Sequence, residues 1–138
     1  MRNFDTGATR NSNENKYAYN GFNSVLVEKS FAEYMHSHRK QADGSLRAPD
    51  NWKKGIPIEA YHESLHRHYV DLWELLDTGK KTLIDAEGNE VDKIHLLNAI
   101  RFNVNGMLHE LLKGSPYISV EDIDWAMRGG LKYDGERL

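Results

Sequence analysis

The sequence predicts an all-α protein, a small helical bundle in which a short β-hairpin can join two of the helices. Apolar residues recur every three or four positions in three long segments, which is the spacing of one face of an α-helix. Capping residues, glycine and proline mark the ends of these segments. The pattern predicts three main helices and a short C-terminal helix, near residues 24–38, 58–77, 92–113 and 120–128.

Both ends of the chain are predicted to lie outside the folded part. Residues 1–15 are rich in Asn, Arg, Ser, Thr and Gly, and we expect them to form a flexible tail. A single helical domain is predicted over residues 16–130, because a chain of 138 residues suffices for one domain with its own core. Residues 131–138 are predicted to form a second polar tail.

Local signals place each element in turn. Ser24 can cap the first helix, and Pro57 suits the first turn of the second. Two short β-like runs around residues 87–89 predict a hairpin before the third helix, which ends at Gly114. A capping sequence at residues 119–122 predicts the start of the last short helix.

The predicted core comes from apolar stripes on the second and third helices. The stripe on the second helix consists of Tyr61, Leu65, Tyr69, Leu72 and Leu76. The core positions on the third helix are Ile94, Leu97, Ile100, Val104, Met107, Leu108 and Leu111. Side chains at these spacings share one helical face, so we expect them to be buried in the bundle.

Composition excludes several classes of protein. The chain has no cysteine, which excludes disulfides and thiolate metal sites, so any metal would bind oxygen and imidazole ligands. No apolar segment is long enough to span a bilayer, and the N-terminus lacks the apolar core of a signal peptide, which favours a cytoplasmic protein. The net charge of −3 counts against binding to duplex nucleic acid.

Two helical segments carry polar faces that point to a metal site. In the second helix the charged residues follow one another at spacings of four, four, four and three, and in the third helix the polar residues are three apart. These residues are Glu59, Glu63, Arg67, Asp71 and Glu74, followed by Asp92, His95 and Asn98. Two such faces could meet around a divalent cation inside a bundle. Alternatively, the first set is a solvated ladder of ion pairs, which is common on exposed helices.

A polar loop and two amides add candidate binding residues. Trp52 lies in a loop between Asn51 and Lys53, where it could stack on a nucleic-acid base or simply cover the edge of the core. Lys54 could then reach a phosphate group. Asn98 and Asn103 lie among apolar residues, and a buried amide needs partners because an unsatisfied one costs about 1–3 kcal/mol.

Three runs of sequence resemble a known family. They are Asp50-Asn-Trp-Lys-Lys-Gly-Ile-Pro57, Glu63-Ser-Leu-His-Arg-His68 and His95-Leu-Leu-Asn-Ala-Ile-Arg-Phe-Asn103. They resemble phage dATP/dGTP diphosphohydrolase-like proteins, distant relatives of the MazG-type all-α nucleotide pyrophosphohydrolases. The resemblance covers roughly residues 16–112. In the wider MazG group, carboxylates bind magnesium where this chain has His95 and Asn98.

The resemblance implies hydrolysis of a purine deoxynucleoside triphosphate to the monophosphate and pyrophosphate, with Mg²⁺ or Mn²⁺. It implies catalytic roles for Glu63, His68 and Asp71, and a metal site formed by Glu63, Asp71, His95 and Asn98. The substrate would be bound by Trp52, Lys54, Arg67 and Asn103. It also implies a homo-oligomer with the site near an interface, in the cytoplasm of the host cell if a phage encodes the chain.

Two other classes stay open. One is a non-catalytic phage bundle that binds a nucleotide or a protein. The other is a phosphohydrolase of the HD type, suggested by the seven histidines, although no adjacent His-Asp pair occurs in the sequence. A screen of nucleoside triphosphates with Mg²⁺ or Mn²⁺ separates these classes.

Overall fold

A computed structural model describes residues 2–12 and 14–114. The chain divides into two compact units, Met1–Ala32 and Glu33–Leu138. The division falls within helix α2, which covers Val25–Ser37. The domain boundaries predicted after residues 15 and 130 stay predictions, and the second of them lies outside the described residues.

The first unit contains only short elements before α2. Strands β1 (Arg2–Asn3) and β2 (Thr9–Arg10) pair in an antiparallel hairpin. A four-residue helix, α1, covers Tyr19–Phe22. Neither α1 nor α2 has a buried residue. The buried core of the described chain therefore lies in the second unit.

Two long antiparallel helices form the framework of the second unit. They are α3, Ile58–Thr78, and α4, Lys93–Leu112. Tyr61, near the start of α3, packs on Gly106 near the end of α4. Leu75, near the end of α3, packs in the same cluster as Leu96 near the start of α4. The order of these contacts shows that the two helices run in opposite directions.

The strands show that the all-α class is wrong. Strands β3 (Thr82–Ile84) and β4 (Glu90–Asp92) pair antiparallel between α3 and α4. Val91 of β4 is only 2% exposed and packs in the helical core, with Leu83 of β3 against it. The hairpin is therefore part of the core. The described residues form a mixed fold of four helices and two small two-stranded sheets.

Asp85 and Gly88 build the turn of this hairpin. The Asp85 Oδ1 atom accepts hydrogen bonds from the backbone N–H groups of Glu87 and Asn89, each at 2.9 Å. Gly88 has a φ of 85° and donates its N–H to the Asp85 carbonyl at 3.0 Å. Glycine adopts this left-handed conformation without a steric cost. The turn thus fixes the position of the Asp85 carboxylate.

The three long helices lie within one residue of the ranges that the apolar spacing predicts. The last predicted helix, near residues 120–128, lies outside the described residues. In the part of the chain that the structure describes, none of the helices combines the length and apolar character needed to cross a membrane.

Polar and aromatic contacts fix how α3 and α4 pack. The Asn103 side-chain amide donates hydrogen bonds to Ser64 Oγ on α3 at 3.2 Å and to the Ala99 carbonyl at 3.0 Å. Tyr61 and Glu110 are both almost fully buried between the helices. The Lys113 ammonium lies 3.1 Å from Glu110 Oε1, so this buried carboxylate faces a cation.

Candidate functional site

Three histidines and a tyrosine come together at one side of the α3–α4 pair. We call them the histidine cluster: Tyr34, His38, His68 and His95. The ring centroids of Tyr34 and His95 are 5.2 Å apart, and those of His38 and His95 are 5.9 Å apart. His68 on α3 lies near enough to His95 for the two charges to interact. The cluster thus draws residues from α2, α3, α4 and the segment after α2.

The capping of α4 positions His95. Asp92 is the N-cap residue, and its Oδ1 atom accepts a hydrogen bond from the His95 backbone N–H at 2.8 Å. This bond satisfies one of the free N–H groups at the helix start. Asp92 therefore caps α4 and fixes its first turn, and this turn places His95 in the cluster.

Local contacts hold the His38 ring at the end of α2. Its Nδ1 atom lies 2.8 Å from the Tyr34 carbonyl oxygen and 3.1 Å from Ser37 Oγ. These contacts fix the ring where it packs against Tyr34 and faces His95.

Burial makes two of the histidines weaker bases. Burial, and then the neighbouring charge of His95, lowers the pKa of His68. Burial, and then the charge of His38, lowers the pKa of His95. A lowered pKa favours the neutral imidazole at neutral pH. Both rings can therefore accept a proton or bind a metal there.

Two carboxylates lie beside the cluster in different environments. Burial raises the pKa of Asp71, although the nearby His68 charge acts in the opposite direction. Hydrogen bonds from the backbone, first of all from Asn89, hold the pKa of Asp85 below its usual value. Asp85 is thus a stable anion. A cation placed beside Asp71 would offset the cost that burial adds to its charge.

Tyr34 supplies a neutral hydroxyl group. Burial, and then the negative charge of Glu87, raises the pKa of Tyr34 to about 12. The phenol therefore keeps its proton at neutral pH and can donate a hydrogen bond.

An open groove adjoins the cluster on α3. It has a volume of about 350 Å³ and is lined by His66, Arg67, Val70, Asp71 and Ala86. Asp71 belongs both to the groove and to the surroundings of the cluster. Arg67 is exposed, so its guanidinium group is accessible to an anion in the groove.

The structure unites some of the predicted site residues and separates others. His68, Asp71 and His95 come together, and Arg67 lines the adjacent groove. Glu63 is exposed and lines neither the groove nor the cluster. About 100° of rotation per helical residue puts Glu63 and Asp71 roughly 80° apart around α3. This rotation explains why Asp71 is half-buried and Glu63 is not.

The remaining predicted residues have other surroundings. Asn103 donates one hydrogen bond to Ser64 on α3 and one to the Ala99 carbonyl of its own helix, and Asn98 is buried one turn after His95. Trp52 lies in a 3₁₀ turn, Asn51–Lys54, and its ring packs edge-on against Phe102 and His109. Lys54 is exposed at the end of that turn. Their roles in binding substrate stay predictions.

Sequence reasoning missed Tyr34, His38 and Asp85 as site residues. Tyr34 and His38 are four positions apart, which places both on one side of α2 and its end. That spacing could have paired them, but it cannot show which distant helix they face. Asp85 carried a stronger signal, because Asp followed by Gly three residues later is typical of a turn with a fixed carboxylate.

The residues fit a metal only in part. In residues 2–12 and 14–114, no group of three or more His, Asp and Glu side chains is arranged to hold a metal ion. A protein cage for Mg²⁺ therefore does not fit the described residues. A metal that arrives with phosphate oxygens needs only one or two protein ligands. Asp71 with His68 or His95 could supply these, and such mixed ligands suit Mn²⁺ better than Mg²⁺.

Comparison with known proteins gives no family. No family model, no curated protein and no solved structure matches the chain. The resemblance to the phage diphosphohydrolase-like proteins therefore stays a prediction.

Proposed function

We propose that the protein is a metal-dependent hydrolase that converts a nucleoside triphosphate to the monophosphate and pyrophosphate. The observation that carries the proposal is the assembly of His68, Asp71 and His95 beside a groove lined by Arg67. Neutral bases, a half-buried carboxylate and an accessible guanidinium are the groups that this reaction uses. The family resemblance adds dATP and dGTP as the first substrates to test.

Each group has a defined task in the proposed reaction. The Arg67 guanidinium binds phosphate oxygens in the groove and neutralises part of their charge. A water molecule attacks the phosphorus atom that stays with the nucleoside, and pyrophosphate leaves. His68 or His95 accepts the proton of that water, because the lowered pKa keeps the imidazole neutral at neutral pH. Tyr34 can donate a hydrogen bond to an oxygen of the substrate.

The metal would be held by Asp71 with His68 or His95, and by substrate oxygens. When bound, Mn²⁺ or Mg²⁺ supplies positive charge to the phosphates and acidifies water. We also propose that the protein works as a homo-oligomer.

A product analysis tests this function. Purified protein is incubated with each of the common dNTPs and NTPs, with Mn²⁺, with Mg²⁺ and with EDTA. Pyrophosphate and orthophosphate are scored separately. The proposal requires metal-dependent formation of a nucleoside monophosphate and pyrophosphate from at least one substrate. Release of orthophosphate alone, or no turnover with any substrate and metal, rejects it.

Two variants of α3 give a matched control for the groove. Arg67→Gln removes the guanidinium that we place on the phosphates, and we expect KM to rise at least about tenfold with a smaller change in kcat. Glu59→Gln changes an exposed polar residue of the same helix outside the groove, and its KM should equal that of the wild type. Equal KM values for Arg67→Gln and the wild type would show that Arg67 does not bind the substrate phosphates.

A further inference from the structure

Two histidines of α3 lie side by side on its outer surface. We call them the α3 histidine pair: His62 and His66. Both side chains are exposed, and their ring centroids are only 4.3 Å apart. A spacing of four residues places the second ring one helical turn after the first, on the same face of the helix. His66 also lines the groove, so the pair lies at the edge of this groove.

The pair is separate from the histidine cluster. At about 100° per residue, the middle of the pair lies roughly 140° around α3 from His68 and roughly 160° from Asp71. The pair therefore cannot share a metal ion with His68. A site at the pair does not rest on the proposed hydrolysis.

The separation of the two rings fits imidazoles that bind one metal ion. An imidazole nitrogen binds a transition metal at about 2.0–2.1 Å, which puts the ring centroid roughly 3.2 Å from the metal. Two such rings at a right angle about the metal have centroids roughly 4.5 Å apart, and at the tetrahedral angle roughly 5.2 Å apart. The observed 4.3 Å is close to the right-angle value. The ring planes are tilted by 56°, so the rings are not stacked face to face and their nitrogens can turn toward a shared ion.

The chemistry of the ligands selects the class of ion. Imidazole suits Zn²⁺, Cu²⁺ and Ni²⁺, whereas Mg²⁺ and Ca²⁺ need oxygen ligands. A right angle between two bonds occurs in the square-planar and tetragonal sites of Cu²⁺ and Ni²⁺. A tetrahedral Zn²⁺ site would need the rings to move apart by roughly 0.9 Å. Cu²⁺ and Ni²⁺ therefore fit the pair best.

Two carboxylates add negative charge beside the pair. Glu59 and Glu63 each precede one histidine of the pair by three residues, and both are exposed. Around the helix they lie roughly 40° and 80° from the middle of the pair, whereas the positive Arg67 lies roughly 120° away. The nearer charges are thus negative, and the local potential favours a cation at the pair.

We propose that His62 and His66 together bind one divalent transition-metal ion, Ni²⁺ or Cu²⁺. The two imidazoles occupy neighbouring coordination positions. In residues 2–12 and 14–114, no group of three or more His, Asp and Glu side chains is arranged to hold a metal ion, so water fills the remaining positions. These positions are open to a further ligand, and an anion in the groove can replace the water and bind the ion directly.

Calorimetric titration with NiCl₂ tests the proposal. The full chain is used without an affinity tag, because a polyhistidine tag would itself bind the ion. The wild type should bind Ni²⁺ saturably, and His62→Gln and His66→Gln should each lower the affinity at least about tenfold, since each removes one half of a chelate. His95→Gln is the matched control, because it removes a histidine of the histidine cluster, and it should bind Ni²⁺ as the wild type does.

Electron paramagnetic resonance with one equivalent of Cu²⁺ counts the imidazole ligands. The wild type should show hyperfine coupling to two imidazole nitrogens, and His62→Gln and His66→Gln should each show fewer. Both substituted side chains are exposed, so circular dichroism should show wild-type folding. The absence of saturable Ni²⁺ binding, wild-type affinity or an unchanged nitrogen count in both variants, or an equal loss of affinity in His95→Gln overturns the proposal.

Discussion

Replacing Gly106 by alanine tests the packing that sets the positions of α3 and α4. A Cβ atom added at Gly106 would overlap the Tyr61 ring and lie 2.7 Å from its hydroxyl oxygen. Cβ atoms in real structures essentially never approach another atom to less than 3.0 Å. The Tyr61 ring is only 2% exposed, so other atoms surround it. Either this ring or the helices must therefore shift to accept the methyl group.

Two effects of this substitution oppose each other. Alanine favours an α-helix over glycine by about 1 kcal/mol. Overpacking of a filled core typically costs about 1–3 kcal/mol, and an overlap with a rigid ring belongs at the upper end of this range. We expect a net loss of about 1–2 kcal/mol in the free energy of unfolding. For a chain of this size, that loss lowers Tm by roughly 3–10 °C.

Thermal unfolding followed by circular dichroism measures this effect. Gly21→Ala provides a matched control, because Gly21 is also helical and a Cβ there meets only Ala18 at an ordinary 3.7 Å. This control should be neutral or slightly stabilising. A smaller side chain at position 61, as in Tyr61→Leu, should reduce the further cost of Gly106→Ala. If Gly106→Ala alone is as stable as the wild type, Tyr61 does not pack on α4 as described.

Three further predictions follow from individual contacts. Asp92→Ala removes the N-cap of α4 and should lower the free energy of unfolding by about 1 kcal/mol. It should also lower turnover, because the first turn of α4 positions His95. Asp92→Asn keeps a hydrogen-bond acceptor and should retain most of the stability and most of the turnover. Tyr61→Phe should leave stability unchanged or raise it by up to about 1 kcal/mol in urea unfolding, because the buried Tyr61 hydroxyl has no hydrogen-bond partner among the described residues. The folded state lowers the pKa of His68 and of His95 from 6.5, so the unfolded chain takes up protons first as pH falls. The urea midpoint should therefore decrease as pH falls through about 6.5, and His68→Gln or His95→Gln should flatten this decrease.

Each of these predictions can be contradicted by a specific result. Equal stabilities of Asp92→Ala and Asp92→Asn would show that the cap contributes nothing. A loss of more than about 1 kcal/mol in Tyr61→Phe would show that the hydroxyl makes a favourable contact. A urea midpoint that rises on acidification below neutral pH would show that the histidines gain protons on folding.

The periodicity of the sequence predicts the helices well because it reflects local geometry. Apolar spacing locates α3 and α4, and the Gly88 turn signal locates the hairpin between them. The periodicity does not show that Val91 of the hairpin packs in the helical core, since a single strand residue has no periodicity of its own. The all-α class was wrong for this reason.

The candidate site could be predicted only where its residues share a helix. His68 and Asp71 are three apart on α3, so their proximity follows from the sequence. Glu63 was grouped with them by its spacing, but steps of four drift by about 40° each and carry it away. Tyr34 and His38 contact His95 although they lie far from it in the sequence, so no local sequence pattern could predict these contacts.

The most direct test of the proposed site compares three variants in the hydrolysis of the best nucleotide substrate. Asp71→Asn and His95→Gln change groups that the structure brings together, whereas Glu63→Gln changes an exposed carboxylate of the same helix. We predict that each of the first two lowers kcat at least about 100-fold, in the range measured for a lost general base, and that Glu63→Gln keeps wild-type turnover. Full activity of Asp71→Asn and His95→Gln, or loss of activity in Glu63→Gln alone, would contradict the account.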